Sequence, residues 1–277
     1  MNQAFRMMML GVGNGFVKST YHNNALLECN RRRYLIDCGA LAWHSLYELG
    51  LRFEDIDGIF ITHLHYDHCG GLDEAALYGV YAAGRKMKLW LPAPLQHTLW
   101  EQHLRGTLEN VADGKTSLED YFDIQTVEEG EPFWLTTDRS ADGVGVGVGV
   151  GDREASDGTG TEAERPPLSM RWMSTSHVPS KFSCSLVIDN RLFYSADMVA
   201  DADLMMRVHQ EGITDFYHDC SFDSSPVHAS FEALCQYPAA IRQHTYLMHY
   251  GEAPRELGED ALCGMKLLRQ HEWRTWS

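Results

Sequence analysis

The amino-acid sequence predicts an α/β protein whose strands gather into sheets enclosed by helical layers. Three observations carry that expectation. Apolar runs of strand length alternate along the chain with stretches of helical spacing. Several strand runs end in histidine or aspartate, as in "IDGIFITHLH", "RLFYSAD" and "TYLMH". The 277 residues, 44% of them hydrophobic, are ample for one large core, so a single domain over 1–277 is expected.

The elements follow in order. Residues 7–12 and 25–29 read as short strands, and "NRRR" as a turn with solvated arginines before the strand "YLIDCG". "LAWHSLYELG" has helical spacing and stops at Gly50. "IDGIFI" is a buried strand that leads into "THLHYDHCGG". "DEAALYGVYAAG" and "PLQHTLWEQHL" read as helices around the strand "MKLWLP". Strands follow at 168–174, 185–189 and 191–195, then a helix at about 201–211. "TDFYHD" and "TYLMHY" read as strands around a helix near 228–236.

One segment departs from this alternation. "DGVGVGVGVGDREASDGTGTEAERPP" combines Val-Gly alternation with an acidic, Gly/Ser/Thr-rich tail that cannot bury a core. A flexible low-complexity insertion at about 138–167 is expected, either a surface loop or a lid, because it ends shortly before His177.

Composition excludes some functions. The net charge is −16, from 39 acids against 23 lysines and arginines, which argues against long nucleic acid as a partner. No apolar stretch approaches the ~20 residues of a membrane span, and the start lacks the pattern of a secretory signal. A cytoplasmic protein is expected. Its seven cysteines include no C-x-x-C pair and read as reduced thiols, mostly buried.

The chemistry sits in "THLHYDHCGG". His63 and His65 alternate in an extended segment, so both can grip one ion, and the turn that follows sends Asp67 and His68 toward a second. Gly70 and Gly71 permit that turn. Cys69 reads as a bystander. Two ions need more donors, and His177, Asp197 and His249 each stand at the exit of a strand. Asp197 can bridge two ions. Five histidines and two aspartates make the ligand set of a dinuclear metallohydrolase.

H-x-H-x-D-H, a downstream histidine, a strand-terminal aspartate and a late histidine together resemble the ligand series of the metallo-β-lactamase superfamily, from residue 7 to about 250. The resemblance implies an αββα four-layer sandwich with two metals at one edge between the sheets. It assigns His63, His65 and His177 to the first metal, and Asp67, His68 and His249 to the second, with Asp197 bridging. Zinc suits such a site best, with manganese or iron as alternatives.

Within that superfamily, "YHDCSFDSSPVHASFEAL" resembles the ribonuclease Z branch, where a strand ending in His-Glu-Ala-Thr-Phe precedes a second histidine. His218, Asp219, Cys220, Ser221 and Phe222 stand in those five places, with aspartate for glutamate, and His228 in the second histidine's place. "LGVGNG", "HNNALLE" and "YLIDCG" resemble the branch's opening strands, which places Asp37 and Cys38 beneath the metals. Asp67, His228 and Asp219 are therefore the expected catalytic residues. His228 would stabilise the transition state or protonate the leaving alkoxide, worth ~10²–10⁴-fold, with Asp219 orienting it. His218 is either structural or functional. Ser180 and Lys181 are candidates for binding the phosphate, or an exposed turn.

The ribonucleases of this branch carry a basic arm between the third histidine and the bridging aspartate. Residues 178–196 have room only for a hairpin, which turns the expectation toward a small phosphodiester such as a cyclic nucleotide or cyclic phosphate. The resemblance implies that a metal-bound hydroxide would attack it, and relatives are often homodimers. The alternatives are a ribonuclease Z-like RNA endonuclease, a lactonase or thioesterase of the same fold, and a binding protein without turnover.

Overall fold

The computed structural model describes residues 4–136, 167–223, 225–252 and 259–277. Its strands are β1 (Phe5–Gly11), β2 (Asn24–Cys29), β3 (Arg32–Ile36), β4 (Gly58–Phe60), β5 (Met87–Pro92), β6 (Phe122–Val127), β7 (Phe133–Leu135), β8 (Leu168–Ser174), β9 (Cys184–Ile188), β10 (Leu192–Tyr194), β11 (Asp215–Asp219), β12 (Thr245–Met248), β13 (Lys266–Leu267) and β14 (Trp273–Trp276). The helices are α1 (Ala42–Glu48), α2 (Tyr66–Cys69), α3 (Leu72–Tyr78), α4 (Leu95–Leu99), α5 (Arg105–Leu108), α6 (Ala202–Gln210), α7 (Phe231–Leu234) and α8 (Ala239–Arg242).

The strands form two seven-stranded sheets, ordered β14-β1-β2-β3-β4-β5-β6 and β13-β12-β11-β10-β9-β8-β7. Side-chain alternation explains the layers. On β1, Met7 and Met9 join Leu27, Tyr34 and Trp90 in a core shared with Trp172, Leu186, Tyr194 and Tyr217 of the other sheet. Met8 and Leu10 point the opposite way and pack with Leu46, Leu72 and Leu99 of the first helical layer. On the far side, Val187, Phe193 and Phe216 pack against Leu204, Met205 and Val208 of α6 and Ile241 of α8. Both faces of each sheet are thus covered, which is why runs such as "MMMLG" are apolar without alternation. The expected αββα sandwich is the observed one. Among the described residues, no helix is long and apolar enough to cross a membrane.

Three details differ from the sequence expectation. Cys235, at the end of α7, is bonded to Cys263, so these two are not reduced thiols; Cys29, Cys38, Cys69, Cys184 and Cys220 are free and buried. Tertiary folding joins two cysteines 28 residues apart, which no local spacing reveals. The arginines after the Asn30–Arg31 turn are not merely solvated, because Arg32 pairs with Asp57 at 2.9 Å and Arg33 with Glu28 at 3.2 Å. The helices expected over 73–84 and 94–104 are each broken, the first into α3 and a π-helical turn, Gly79–Ala83, the second into α4 and a π-helical turn, Trp100–Leu104. The expected insertion at 138–167 lies, but for its last residue, outside the described residues.

Candidate metal centre

Strand ends deliver the donors. β4 is buried throughout and runs into Thr62 and His63, after which His65 enters α2, carrying Asp67 and His68. His177 follows β8, Asp197 follows β10, and His249 follows β12 in a left-handed conformation with φ 57°. These loops converge at one end of the sandwich. His63, His65, His177 and Asp197 form one group of potential ligands, and Asp67, His68, Asp197 and His249 a second, with donor atoms in each within 4.8 Å of one another. Asp197 belongs to both. All seven residues singled out from the sequence are therefore brought together, and all but His65 are buried.

Several donors are held by neighbours that leave the ligand atom facing the cluster. His68 Nδ1 lies 2.7 Å from Asp37 Oδ2, so Nε2 is left facing Asp197 Oδ1 at 3.2 Å. Asp37 also accepts from the Thr62 backbone N–H at 2.8 Å and the Thr62 hydroxyl at 2.8 Å. His177 Nδ1 lies 2.6 Å from the Val227 carbonyl, which directs Nε2 inward. Asn24 secures the turn, donating to the Asp67 carbonyl at 2.9 Å and accepting from Gly39 N–H at 2.6 Å.

The two groups differ in charge. Burial and the crowding of His68 and other imidazoles hold His63 well below the ordinary histidine range, and burial with His177 beside it brings His65 to about 4. Burial also lowers His177. In the second group burial works in the same direction but is outweighed. Asp197, Asp67 and Asp37 raise His68 well above the ordinary range, and Asp197, Asp219 and Asp67 raise His249 to about 10. Burial pushes the Asp197 carboxyl up, yet His249, His68 and His63 hold it well below the usual carboxylate range.

The donor set fits metal ions. His68 Nε2 and Asp197 Oδ1 are buried without a well-formed hydrogen bond among the described residues, in a geometry that presents imidazole nitrogens and carboxylate oxygens to shared points. Several of these residues could therefore hold a metal.

Asp219, His228 and His249 make a third cluster. His228 Nδ1–H donates to Asp219 Oδ2 at 2.8 Å, and the His228 ring centre lies 4.8 Å from those of His177 and His249. Asp219 is fully buried and also accepts from the Met198 N–H at 3.0 Å, with its other oxygen 3.4 Å from His249 Nδ1. His218 points elsewhere, with Nδ1 on the Asp219 carbonyl and Nε2 on the Tyr237 hydroxyl. Ser180, at φ 66°, and Lys181 line a cavity beside His63, His65 and His177. Sequence reasoning left Asn24, Gly39 and Thr62 unassigned. Only "GA" after "YLIDC" hinted at the close packing, for a Cβ on Gly39 would lie 1.9 Å from the Asp67 carbonyl oxygen.

Fold and site together define a protein of the metallo-β-lactamase fold. Human short-form tRNase Z aligns with it over 98% of both chains at a TM-score of 0.58 and 16% identity. YhfI from Bacillus subtilis, a metallo-β-lactamase fold protein, aligns over 99% of this chain and 100% of its own, at a TM-score of 0.66 and 12% identity. Residues 5–144 and 153–274 match the family model described as anti-Pycsar protein Apyc1, and the chain belongs to that family. An anti-Pycsar protein Apyc1 from Paenibacillus xerothermodurans is 34% identical over 272 residues, covering 97% of this chain and 96% of its own length.

Proposed function

We propose that the protein is a dinuclear phosphodiesterase that opens a small cyclic nucleotide, with His63, His65 and His177 holding one ion, Asp67, His68 and His249 the other, and Asp197 both. Zinc fits this nitrogen-rich set best, with manganese or iron as alternatives. Bound ions would acidify a water to a pKa of ~7 and neutralise charge on the phosphoryl oxygens. The observation that carries the reading is the Asp219–His228 pair. It places a partly exposed imidazole, backed by a buried carboxylate, directly beside both ligand groups.

The chain's own residues do the rest. Asp219 takes the His228 Nδ1–H, which leaves Nε2 to give a proton to the departing alkoxide. A thioester, whose thiolate leaves without protonation, needs that proton less. Asp67 contributes by staying ionised: burial opposes it, but His68 and His249 hold its carboxyl below the usual range. Ser180 and Lys181, beside His177, suit the phosphate oxygens.

Size favours a cyclic nucleotide over RNA. Residues 178–196 are taken up by the β9–β10 hairpin and its flanks, and the chain carries −16 overall. The anti-Pycsar name of the relatives also fits a small cyclic nucleotide substrate. The test is turnover of 3′,5′-cyclic nucleotides and of bis(p-nitrophenyl) phosphate by metal-loaded wild type and His228→Ala. The reading expects wild-type turnover of both, with a ~10²–10⁴-fold fall in the variant on cyclic nucleotides and a much smaller one on bis(p-nitrophenyl) phosphate, whose p-nitrophenolate leaves without a proton. Cyclic-nucleotide turnover indifferent to His228 would remove it.

A further inference from the structure

β10 and β11 pair in parallel as far as Tyr194 and Tyr217, and the Ser195 N–H adds one more bond, to the Tyr217 carbonyl at 2.9 Å. A continued parallel ladder would next take the Asp219 N–H to the Ser195 carbonyl. The chain does otherwise. Ala196 turns left-handed at φ 49°, and the Ser195 carbonyl accepts from the Ser185 hydroxyl at 2.7 Å instead. The Asp219 N–H is met by the Ser195 side chain, whose Oγ accepts it at 2.8 Å and donates to the Ala196 carbonyl at 2.6 Å. Ser195 is fully buried, so water cannot take over either bond.

That hydroxyl joins two strand exits with different tasks. Ala196 precedes Asp197, the residue common to both ligand groups, and Asp219 backs His228. The Met198 N–H, one residue past Asp197, donates to the Asp219 carboxylate at 3.0 Å. Residues 195–198 therefore grip Asp219 at both ends, its backbone through Ser195 and its side chain through Met198. Repair of a broken ladder would need only the bond to the Asp219 N–H. The second bond, to the carbonyl just before Asp197, ties the proton-donor pair to the chain that carries the shared ligand.

We infer that Ser195 is a positioning residue that fixes the Asp219–His228 pair relative to Asp197, so that the His228 proton meets the leaving oxygen of a diester held at the metal centre. The inference rests on the phosphodiesterase reading and adds to it what keeps the proton donor in register with the ligands. Ser195 touches no reacting atom, because its one hydroxyl proton is committed to the Ala196 carbonyl. Its influence runs through Asp219 to His228.

The experiment is a double-mutant cycle. Metal-loaded wild type, Ser195→Ala, His228→Ala and the double variant are measured on a 3′,5′-cyclic nucleotide and on bis(p-nitrophenyl) phosphate, with folding checked by melting. Ser195→Ala should lower kcat on the cyclic nucleotide about tenfold or more, leave KM near wild type, and show a much smaller loss on the nitrophenyl ester. In the His228→Ala background the same substitution should change little further, since its effect passes through that imidazole. Proton NMR of the zinc-loaded protein gives a readout without turnover. The His228 Nδ1 proton, shared with the Asp219 carboxylate, should give a low-field line that is missing from His228→Ala and shifted or broadened in Ser195→Ala. If Ser195→Ala does not fold, Ser195→Cys, whose thiol is a weaker donor and acceptor, should show the same pattern at smaller size. Equal losses on both substrates, or a loss undiminished in the His228→Ala background, would overturn the positioning role alone. Wild type that cleaves neither compound would overturn the phosphodiesterase reading, and the positioning role with it.

Discussion

Replacing Asp37 with asparagine tests how the fold arms its second ligand group. Asp37 is fully buried and accepts from Thr62 N–H, the Thr62 hydroxyl and His68 Nδ1–H, at 2.8, 2.8 and 2.7 Å. Asparagine has nearly the same volume, and its carbonyl can keep both Thr62 bonds. Its amide then faces His68 Nδ1 as a donor. To accept that bond, His68 must carry its hydrogen on Nε2, the atom 3.2 Å from Asp197 Oδ1. A protonated Nε2 cannot bind a metal. Loss of an outer-shell partner of this kind typically weakens metal affinity ~10–100-fold, or ~1.4–2.8 kcal/mol. The first group shares no bond with Asp37 except through Thr62, so the loss should fall on one ion. Competition titration of zinc against a chelator, on protein first stripped of metal, reads both sites. Asp37→Asn should bind one ion as wild type does and the second ~10–100-fold more weakly. Two ions bound with wild-type affinity by a folded variant would refute the orienting role.

The charge difference between the groups predicts different pH slopes. His68 and His249 are raised, the latter to about 10, so each must lose a proton before binding, and second-ion affinity should rise about tenfold per pH unit for each proton displaced between pH 6 and 8. His63, held well below the ordinary range, and His65, at about 4, have already lost their protons there and His177 is lowered as well, so first-ion affinity should rise less steeply; equal slopes in calorimetric titration would contradict this. Gly39→Ala should displace the Asp67 backbone, since the added Cβ would sit 1.9 Å from its carbonyl oxygen. A destabilisation of ~1–3 kcal/mol by denaturant melts is expected, together with a weakened second ion, and a wild-type midpoint would count against the packing argument.

How far the sequence could be read depended on how local each signal is. His63, His65, Asp67 and His68 are consecutive enough to stand out, and His177, Asp197 and His249 follow strand runs whose apolarity is visible. The same runs predicted sheets inside helical layers, and the resemblance supplied the αββα sandwich. Edge elements did not, because β6 reads "FDIQTV" and β14 "WRTW", where only the ends or one residue are buried. Trp276 is nonetheless packed on Phe5 at 4.8 Å, a contact between the two ends of the chain that no window contains. The Cys235–Cys263 bond is likewise long-range. Asp37 could be placed beneath the metals by resemblance, but its bond to His68 depends on a left-handed turn at φ 65°. The two π-helical turns were hidden for a different reason: they change the period on which helical faces are read.

Cleavage of a 3′,5′-cyclic nucleotide followed by phosphorus NMR in ¹⁸O-labelled water tests the central claim most directly. The metal-loaded protein should convert the diester to a monoester with one labelled oxygen on phosphorus, and chelation should stop it. A diester that stays intact, while the same preparation hydrolyses a lactone or thioester, would contradict the account.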